Sequence, residues 1–134
     1  MSIDAIHDYL TRSYWAESVP KKVVSKAIEN SLCFGVLFDG HQGFESQVGF
    51  ARMITDKATF AYLADVYILE EHRGHGLSKL LMAEIVKHPQ LQGLRRMMLA
   101  TKDAHGLYEK FGFTPLTDES MFMQLWTPDV YQQT

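Results

Sequence analysis

The sequence predicts an α/β domain built on a mixed β-sheet, and three observations carry that prediction. Extended apolar runs joined by short turns occur three times in succession, over Cys33–Phe38, Gln47–Ile54 and Thr59–Ile68. Consecutive strands with connections this short form an antiparallel meander. The third run passes into a helical pattern and then into a fourth apolar run, Arg96–Thr101. A strand, a crossover helix and a strand make a parallel pair joined right-handed. The third observation is compositional: 134 residues, 46% hydrophobic and 22% charged. That is the balance of one soluble globular domain, here residues 1–134.

Each element has a local reason. Ser2 to about Trp15 reads as a helix with Ile3, Ile6 and Leu10 on one face and Ser2 or Asp4 as cap. A second helix starts at Ser18-Val19-Pro20, with Ser18 as cap and Pro20 in the first turn. It buries Val23, Val24, Ala27 and Ile28 and ends near Asn30. Cys33–Phe38 alternates, with Phe34, Val36 and Phe38 on one side. Asp39 to Gly43 is a turn, Gln47–Ile54 is the return strand, and Thr55–Ala58 turns into the third. The helix from Gly76 to Lys87 carries Leu77, Leu80, Leu81 and Ile85 at helical spacing, and His88-Pro89 stops it. Asp103–Phe111 is a short helix capped by Asp103 or Thr101, with Gly112 at its C-terminal end. Ser120–Trp126 reads as a last strand, and the tail from Thr127 as loose.

Several function classes are disfavoured at once. A net charge of −3 argues against non-specific nucleic-acid binding, which needs a basic face. The single cysteine, Cys33, excludes an internal disulfide and a cysteine-built metal site. His72 and His75 straddle a glycine turn without a supporting carboxylate, so no metal site is expected. No apolar run approaches the roughly 18 residues of a membrane span, and MSIDAIHDYL lacks the pattern of a signal peptide. A cytoplasmic location is therefore expected.

The stretch that carries chemistry is Arg73-Gly74-His75-Gly76-Leu77-Ser78. It lies between the third strand and the following helix. Two glycines permit a tight turn and close approach of a ligand. The helix start offers unpaired N–H groups and the positive end of a dipole. Together these form an anion site. It is not a P-loop, because Lys79 follows Ser78 where Gly-Lys-Ser/Thr is required. A dinucleotide fingerprint needs a third glycine where Lys79 stands and the first strand of a parallel unit before it.

Arg73 to Ser78 resembles the Arg/Gln-x-x-Gly-x-Gly/Ala signature of the GNAT family, the Gcn5-related N-acetyltransferases. Leu107-Tyr108-Glu109-Lys110-Phe111-Gly112-Phe113 is similar to the family's second recurrent segment, L-Y-x-x-x-G-F. One helix and one strand separate the two segments, as the family's order requires, and the meander precedes them. The resemblance covers nearly the whole chain from Ser18 onward. Asp103 to Tyr108 looks like the same run in a bacterial subfamily of small members. Ser78 stands where the family has Gly or Ala, and Thr101 where many members carry Asn. The chain opens on a helix, which leaves the family's N-terminal strand without a clear counterpart.

The resemblance implies acetyl-CoA as cosubstrate and an amine, small-molecule or peptide, as acceptor. The pyrophosphate would lie on the backbone of His75 to Ser78, with Arg73, His75 and Lys79 supplying positive charge. In family members the fourth strand splays from the fifth and the pantetheine arm enters between them. Val66, Tyr67 and Ile68 would make those backbone contacts, and the Val66 or Tyr67 N–H would polarise the thioester carbonyl. Thr101 would face the cofactor. Tyr108 is the implied general acid toward a thiolate leaving group. Asp65 is the first choice as base; it interrupts an apolar strand ahead of Arg73. Tyr14, Trp15, Arg52, Phe60 and Tyr62 are candidate walls of the acceptor pocket, with Arg52 as an anchor for a substrate carboxylate. Family members are often dimers. Two other readings stand beside the enzyme: an acyl-CoA-binding or sensing module of the same fold without catalysis, and a nucleotide-binding regulator using the same turn.

Overall fold

A computed structural model of the chain describes residues 1–39 and 45–132. The Asp39–Gly43 turn therefore falls, beyond Asp39, outside the described residues. Helices α1 (Ile3–Thr11) and α2 (Lys21–Glu29) come first. Strands β1 (Leu32–Asp39), β2 (Glu45–Thr55) and β3 (Phe60–Ile68) follow, then α3 (Leu77–Lys87), β4 (Arg96–Leu99) and α4 (His105–Glu109). The strands form one sheet in the order β1-β2-β3-β4. The first two pairings are antiparallel and the third is parallel, so the sheet is mixed as expected.

The helix starts were legible unequally. Ser2 caps α1 through its hydroxyl, which accepts from Ala5 N–H at 3.2 Å. The helix ends at Thr11, short of Trp15, in a left-handed-free turn closed by Ser13 Oγ donating to Leu10 C=O. Ser18 does not cap α2. It sits at φ +67, and Pro20 takes the cap position with no side-chain hydrogen bond. The turn between β2 and β3 is held by Asp56, whose Oδ1 accepts from the N–H groups of Ala58, Thr59 and Phe60. Those bonds and the one from the Thr59 hydroxyl hold its carboxyl well below the ordinary range.

Helices cover both faces of the sheet. On one face Ile6, Leu10, Val19 and Val24 pack on Phe50 and Tyr67. On the other Leu81, Met82, Ile85, Leu91 and Tyr108 pack on Ala51, Met53, Ala61, Leu63 and Ile68. Strand alternation alone would put Leu63 and Tyr67 on one face. A bulge separates them: the β2–β3 register shifts between Phe50 and Arg52, and Asp65 lies at φ +57. The extra residue flips the parity. Tyr67 then faces α1 and Ile68 faces α3.

The C-terminal part departs from expectation. Ser120–Trp126 is not a strand; a 3₁₀ turn, Glu119–Met121, overlaps its start, and the rest runs without sheet pairing. An apolar run satisfies strand patterning, yet a strand also needs a partner edge, which sequence pattern does not supply. The tail is not loose throughout either. Val130–Gln132 forms a 3₁₀ turn, and Tyr131 packs against the cluster under α1 and α2.

Candidate active site

The glycine turn forms the first part of the site. Gly74 and Gly76 lie at φ +85 and +75. A Cβ at either would meet nothing within 4 Å. Their glycine character is thus required by backbone angle and not by packing, and the space beside them is open. Gly76 is the N-terminal cap residue of α3, and no side chain caps that helix. The N–H groups of its first turn, Leu77, Ser78 and Lys79, are therefore available to an external acceptor. No acidic residue occupies that turn. An anionic group fits here on charge, donors and space.

Arg73 also anchors the turn from within the chain. Its Nε donates to Ile68 C=O at 2.9 Å and its Nη2 to the Tyr9 hydroxyl at 3.0 Å. The guanidinium pins the turn to the end of β3 and to α1. His75 and Lys79 are exposed and have no ion-pair partner among the described residues.

The second part is a gap between strands. β3 and β4 pair from Phe60↔Arg96 to Leu63↔Leu99, and there the pairing stops. β3 runs on to Ile68 and β4 ends. Beyond Leu63 the β4-side edge of β3 is thus unpaired. Leu69 N–H donates back to Val48 C=O at 2.8 Å, on the β2 side. Amides alternate along a strand, so Tyr67 N–H also faces β2 and those of Val66 and Ile68 face the gap. Tyr67 is fixed by its ring, which stacks on Tyr9 at 3.9 Å; burial, with Tyr9 beside it, pushes its phenol up to about 12.

Thr101 and Tyr108 line a groove beside β4, together with Arg96 to Ala100. Thr101 Oγ1 accepts from Ala104 N–H at 3.0 Å, which sets the start of α4. Asp103 does not cap that helix; Ala104 holds the cap position. Gly112, at φ +94, ends it as expected. Tyr108 is buried, with its ring edge-on to Phe113 at 6.0 Å. Burial raises its phenol above the ordinary value of 10.0, with Tyr14 and Asp103 adding to the rise. Its hydroxyl makes no hydrogen bond to protein among the described residues, and no buried polar side-chain atom is left unpaired. The hydroxyl therefore opens onto free space.

The third part is a cavity of about 150 Å³ under α1 and α2. Its walls are mostly apolar, from Ile6 and Leu10 to Val24 and Phe50, and its polar end is Arg52, Asp65 and Trp15. Arg52 Nε meets Asp65 Oδ2 at 2.8 Å, and Arg52 Nη1 donates to Ser31 Oγ at 3.2 Å. Trp15 Nε1 donates to Asp65 Oδ1 at 2.9 Å. The pair is little exposed, 17% for Arg52 and 10% for Asp65. The left-handed backbone at Asp65 aims the carboxylate at both donors, a strain of about 1–3 kcal/mol that their hydrogen bonds offset.

The structure thus brings Arg52, Asp65 and Trp15 together and leaves other expected pocket residues apart. Tyr14 is exposed, edge-on to Trp15, with Lys102 Nζ over its ring at 5.4 Å. Phe60 and Tyr62 do not line this cavity. They belong to the half of β3 paired with β4, and Phe60 lies beside the Asp56 turn. Tyr131 was missed, and nothing in its local sequence marks it. Tyr9 was missed too, although it falls one turn after Ile6 beside the predicted apolar face. Cys33 is half-buried and burial raises its thiol, which disfavours the nucleophilic thiolate. Among the described residues no cluster of three or more His, Cys, Asp or Glu could hold a metal, and no helix is long and apolar enough to cross a membrane.

The model of the GNAT acetyltransferase family matches residues 3–113 of the chain. A Xanthomonas campestris pv. campestris protein assigned to that family has a similar crystal structure, with a TM-score of 0.92. It is 49% identical over 99% of this chain and 91% of its own. A Gibberella zeae protein assigned as an acetyltransferase is 35% identical over 82% of this chain and 71% of its own length. An uncharacterised N-acetyltransferase of Gracilaria tenuistipitata var. liui is 32% identical; the match covers 81% of this chain and 60% of that relative. A Clostridium acetobutylicum protein assigned as an acetyltransferase and solved with acetyl-CoA shares the fold at a TM-score of 0.65 and 16% identity, covering 92% of this chain and 88% of its own.

Proposed function

Because the chain belongs to the GNAT acetyltransferase family, we propose that it moves the acetyl group of acetyl-CoA to a primary amine by direct transfer in a ternary complex. Three features support this reading: the uncapped start of α3, the unpaired edge of β3 beyond Leu63, and Tyr108, which lines a groove beside β4 and whose phenol burial raises. Acetyl-CoA supplies the activated acyl carbon as a thioester. The N–H groups of Leu77, Ser78 and Lys79 take up phosphate charge. The Val66 N–H, facing the gap, hydrogen-bonds the thioester carbonyl oxygen and stabilises charge that develops there. The Tyr108 hydroxyl gives its proton to the departing sulfur, and its raised phenol keeps that proton in place until it is needed.

The amine enters from the cavity under α1 and α2. Asp65 accepts its proton, directly or through a water, since each carboxylate oxygen retains a lone pair beside the bonds from Arg52 and Trp15. Arg52 Nη2 has no protein partner among the described residues and can meet an acceptor carboxylate.

One observation favours a second reading, a binding module without catalysis: both oxygens of Asp65 already accept strong hydrogen bonds, as in a purely structural ion pair. Two measurements separate the readings. Acetyl-CoA should raise the melting temperature where ATP and NAD do not, because only a specific ligand stabilises the fold strongly. Free thiol should then appear when acetyl-CoA is mixed with a panel of amines. Stabilisation without thiol release from any amine leaves the binding module; no stabilisation removes both.

The glycine turn gives its own prediction. Gly76→Ala places a Cβ on a left-handed backbone at a cost of about 1–2 kcal/mol. The Cβ meets no neighbour in the folded chain, so the turn relaxes toward other angles. Acetyl-CoA affinity by calorimetry is expected to fall about tenfold, the factor that 1.4 kcal/mol represents. Unchanged affinity would place the phosphates elsewhere.

A further inference from the structure

Two properties of the cavity under α1 and α2 restrict what it can hold: the size of its apolar part and the charge at its polar end. The apolar walls include Ile6, Leu10, Val24, Ala27, Ile28 and Phe50. An apolar cavity of about 150 Å³ accepts a hydrocarbon of about six carbons, the size of benzene. Among the described residues that line it, only Arg52 and Asp65 carry charge. They already form a pair, Nε to Oδ2 at 2.8 Å, and are 17% and 10% exposed.

That pair is neutral as a whole. A lone ammonium drawn in beside it leaves one uncompensated charge out of water, which is costly. A polyamine brings several charges to a single carboxylate. A ligand with one positive and one negative group keeps the site neutral, and the pair has bonding capacity for both. Each oxygen of Asp65 accepts one hydrogen bond, from Trp15 or Arg52, and retains a lone pair. Arg52 Nη2 has no partner among the described residues, and no buried polar side-chain atom is left unpaired, so this nitrogen reaches open space. In an α-amino acid one carbon separates ammonium from carboxylate. That spacing suits two receiving groups that are themselves in hydrogen-bond contact.

We propose that this cavity takes a free α-amino acid with a branched aliphatic side chain, of which leucine is the type, as the acceptor of the acetyl group. The acceptor role rests on the acetyl-transfer reading; binding in the cavity does not. The ammonium lies on Asp65, the carboxylate on Arg52 Nη2, and the side chain among Val24, Ala27 and Ile28. A peptide N-terminus or a lysine side chain lacks the α-carboxylate and leaves Arg52 unanswered. In the transfer itself the ammonium first loses one proton through Asp65 to solvent. Its nitrogen then bonds the acetyl carbon and the C–S bond breaks. The sulfur takes the Tyr108 proton, and the second nitrogen proton returns through water to the phenol. The products are the N-acetyl amino acid and free CoA.

Thiol release from acetyl-CoA with a chosen set of amines tests the acceptor role. Leucine is expected to exceed leucinamide, which lacks the carboxylate, by about tenfold or more in kcat/KM. It should exceed alanine, which is three carbons shorter, by about 50-fold, at about fourfold per carbon. Spermidine should give no release above background. Ala27→Leu fills the cavity from α2 with a good helix former at a half-buried position. It should remove most of leucine's advantage over alanine; the amine comparison on the wild type stands whether or not this variant folds. Release with leucinamide, alanine or spermidine equal to that with leucine overturns the proposal and leaves acetyl transfer standing. If no amine releases thiol, acetyl transfer fails and calorimetry with leucine decides for the cavity. Binding that is weakened about tenfold by leucinamide in place of leucine, or by Ala27→Leu, keeps the amino-acid site. No heat at up to about 10 mM leucine, or heat that neither change weakens, overturns it.

Discussion

Tyr108→Phe is expected to lower turnover by about 10²-fold or more, the usual contribution of a positioned acid, while changing acetyl-CoA affinity less than threefold. The substitution removes one oxygen. The ring keeps its edge-on contact with Phe113 and its place in the core under α3. The hydroxyl makes no hydrogen bond to protein among the described residues, so the melting temperature should hardly move. The effect therefore isolates chemistry from folding. It also has a signature in pH. Burial holds the phenol above its ordinary value of 10.0. Below that raised value the phenol is protonated and can donate; as pH rises through it, the donor is lost. Wild-type turnover should accordingly fall on an alkaline limb above pH 10, and the Phe variant should lack that limb at its lower level. Turnover equal to wild type would leave Tyr108 a packing residue.

The parts of the fold set by local rules were legible in the sequence. The meander, the crossover helix and the glycine turn follow from period, spacing and backbone freedom, which neighbouring residues determine. Gly112 after α4 is a case in point, a helix end read from one residue. The misreadings share a different cause. Ser18 has the chemistry of a cap, but its backbone is drawn to φ +67 by the path from α1 into α2. Ser120–Trp126 has the composition of a strand but pairs with no sheet edge among the described residues. In each case tertiary context decided between equally acceptable local states.

The Arg52–Asp65 pair lies between these extremes. Each residue interrupts an apolar strand, and each was notable alone. They sit on adjacent antiparallel strands whose turn is short enough to set the register: Arg52 pairs with Ala64, the neighbour of Asp65. The pairing was therefore within reach of the sequence, while the bulge was not. Nothing local says that Asp65 adopts a left-handed angle in mid-strand. Only the change of burial parity, Leu63 on one face and Ile68 on the same one five residues later, betrays an inserted residue.

That bulge makes Asp65 the position with the second large expected effect, and two substitutions divide its roles. Asp65→Ala removes the acceptor of both Arg52 Nε and Trp15 Nε1. The guanidinium, 17% exposed, is left with the Ser31 hydroxyl alone. Stripping one partner from a largely buried pair costs about 3 kcal/mol, and a left-handed alanine adds to that. The melting temperature should drop by about 10 °C for a domain of this size. Asp65→Asn behaves differently. Asparagine tolerates the left-handed angle, and its amide oxygen still accepts from Arg52 or Trp15, so about 1 kcal/mol is lost. What it cannot do is take a proton from the amine. If Asp65 is the base, the acidic limb of the wild-type pH–rate profile disappears in the Asn variant and kcat/KM falls about 10²-fold. If that limb persists at wild-type height while the Ala variant is still destabilised, Asp65 is the strut that holds Arg52 and Trp15 at the cavity, and the proton leaves by water alone.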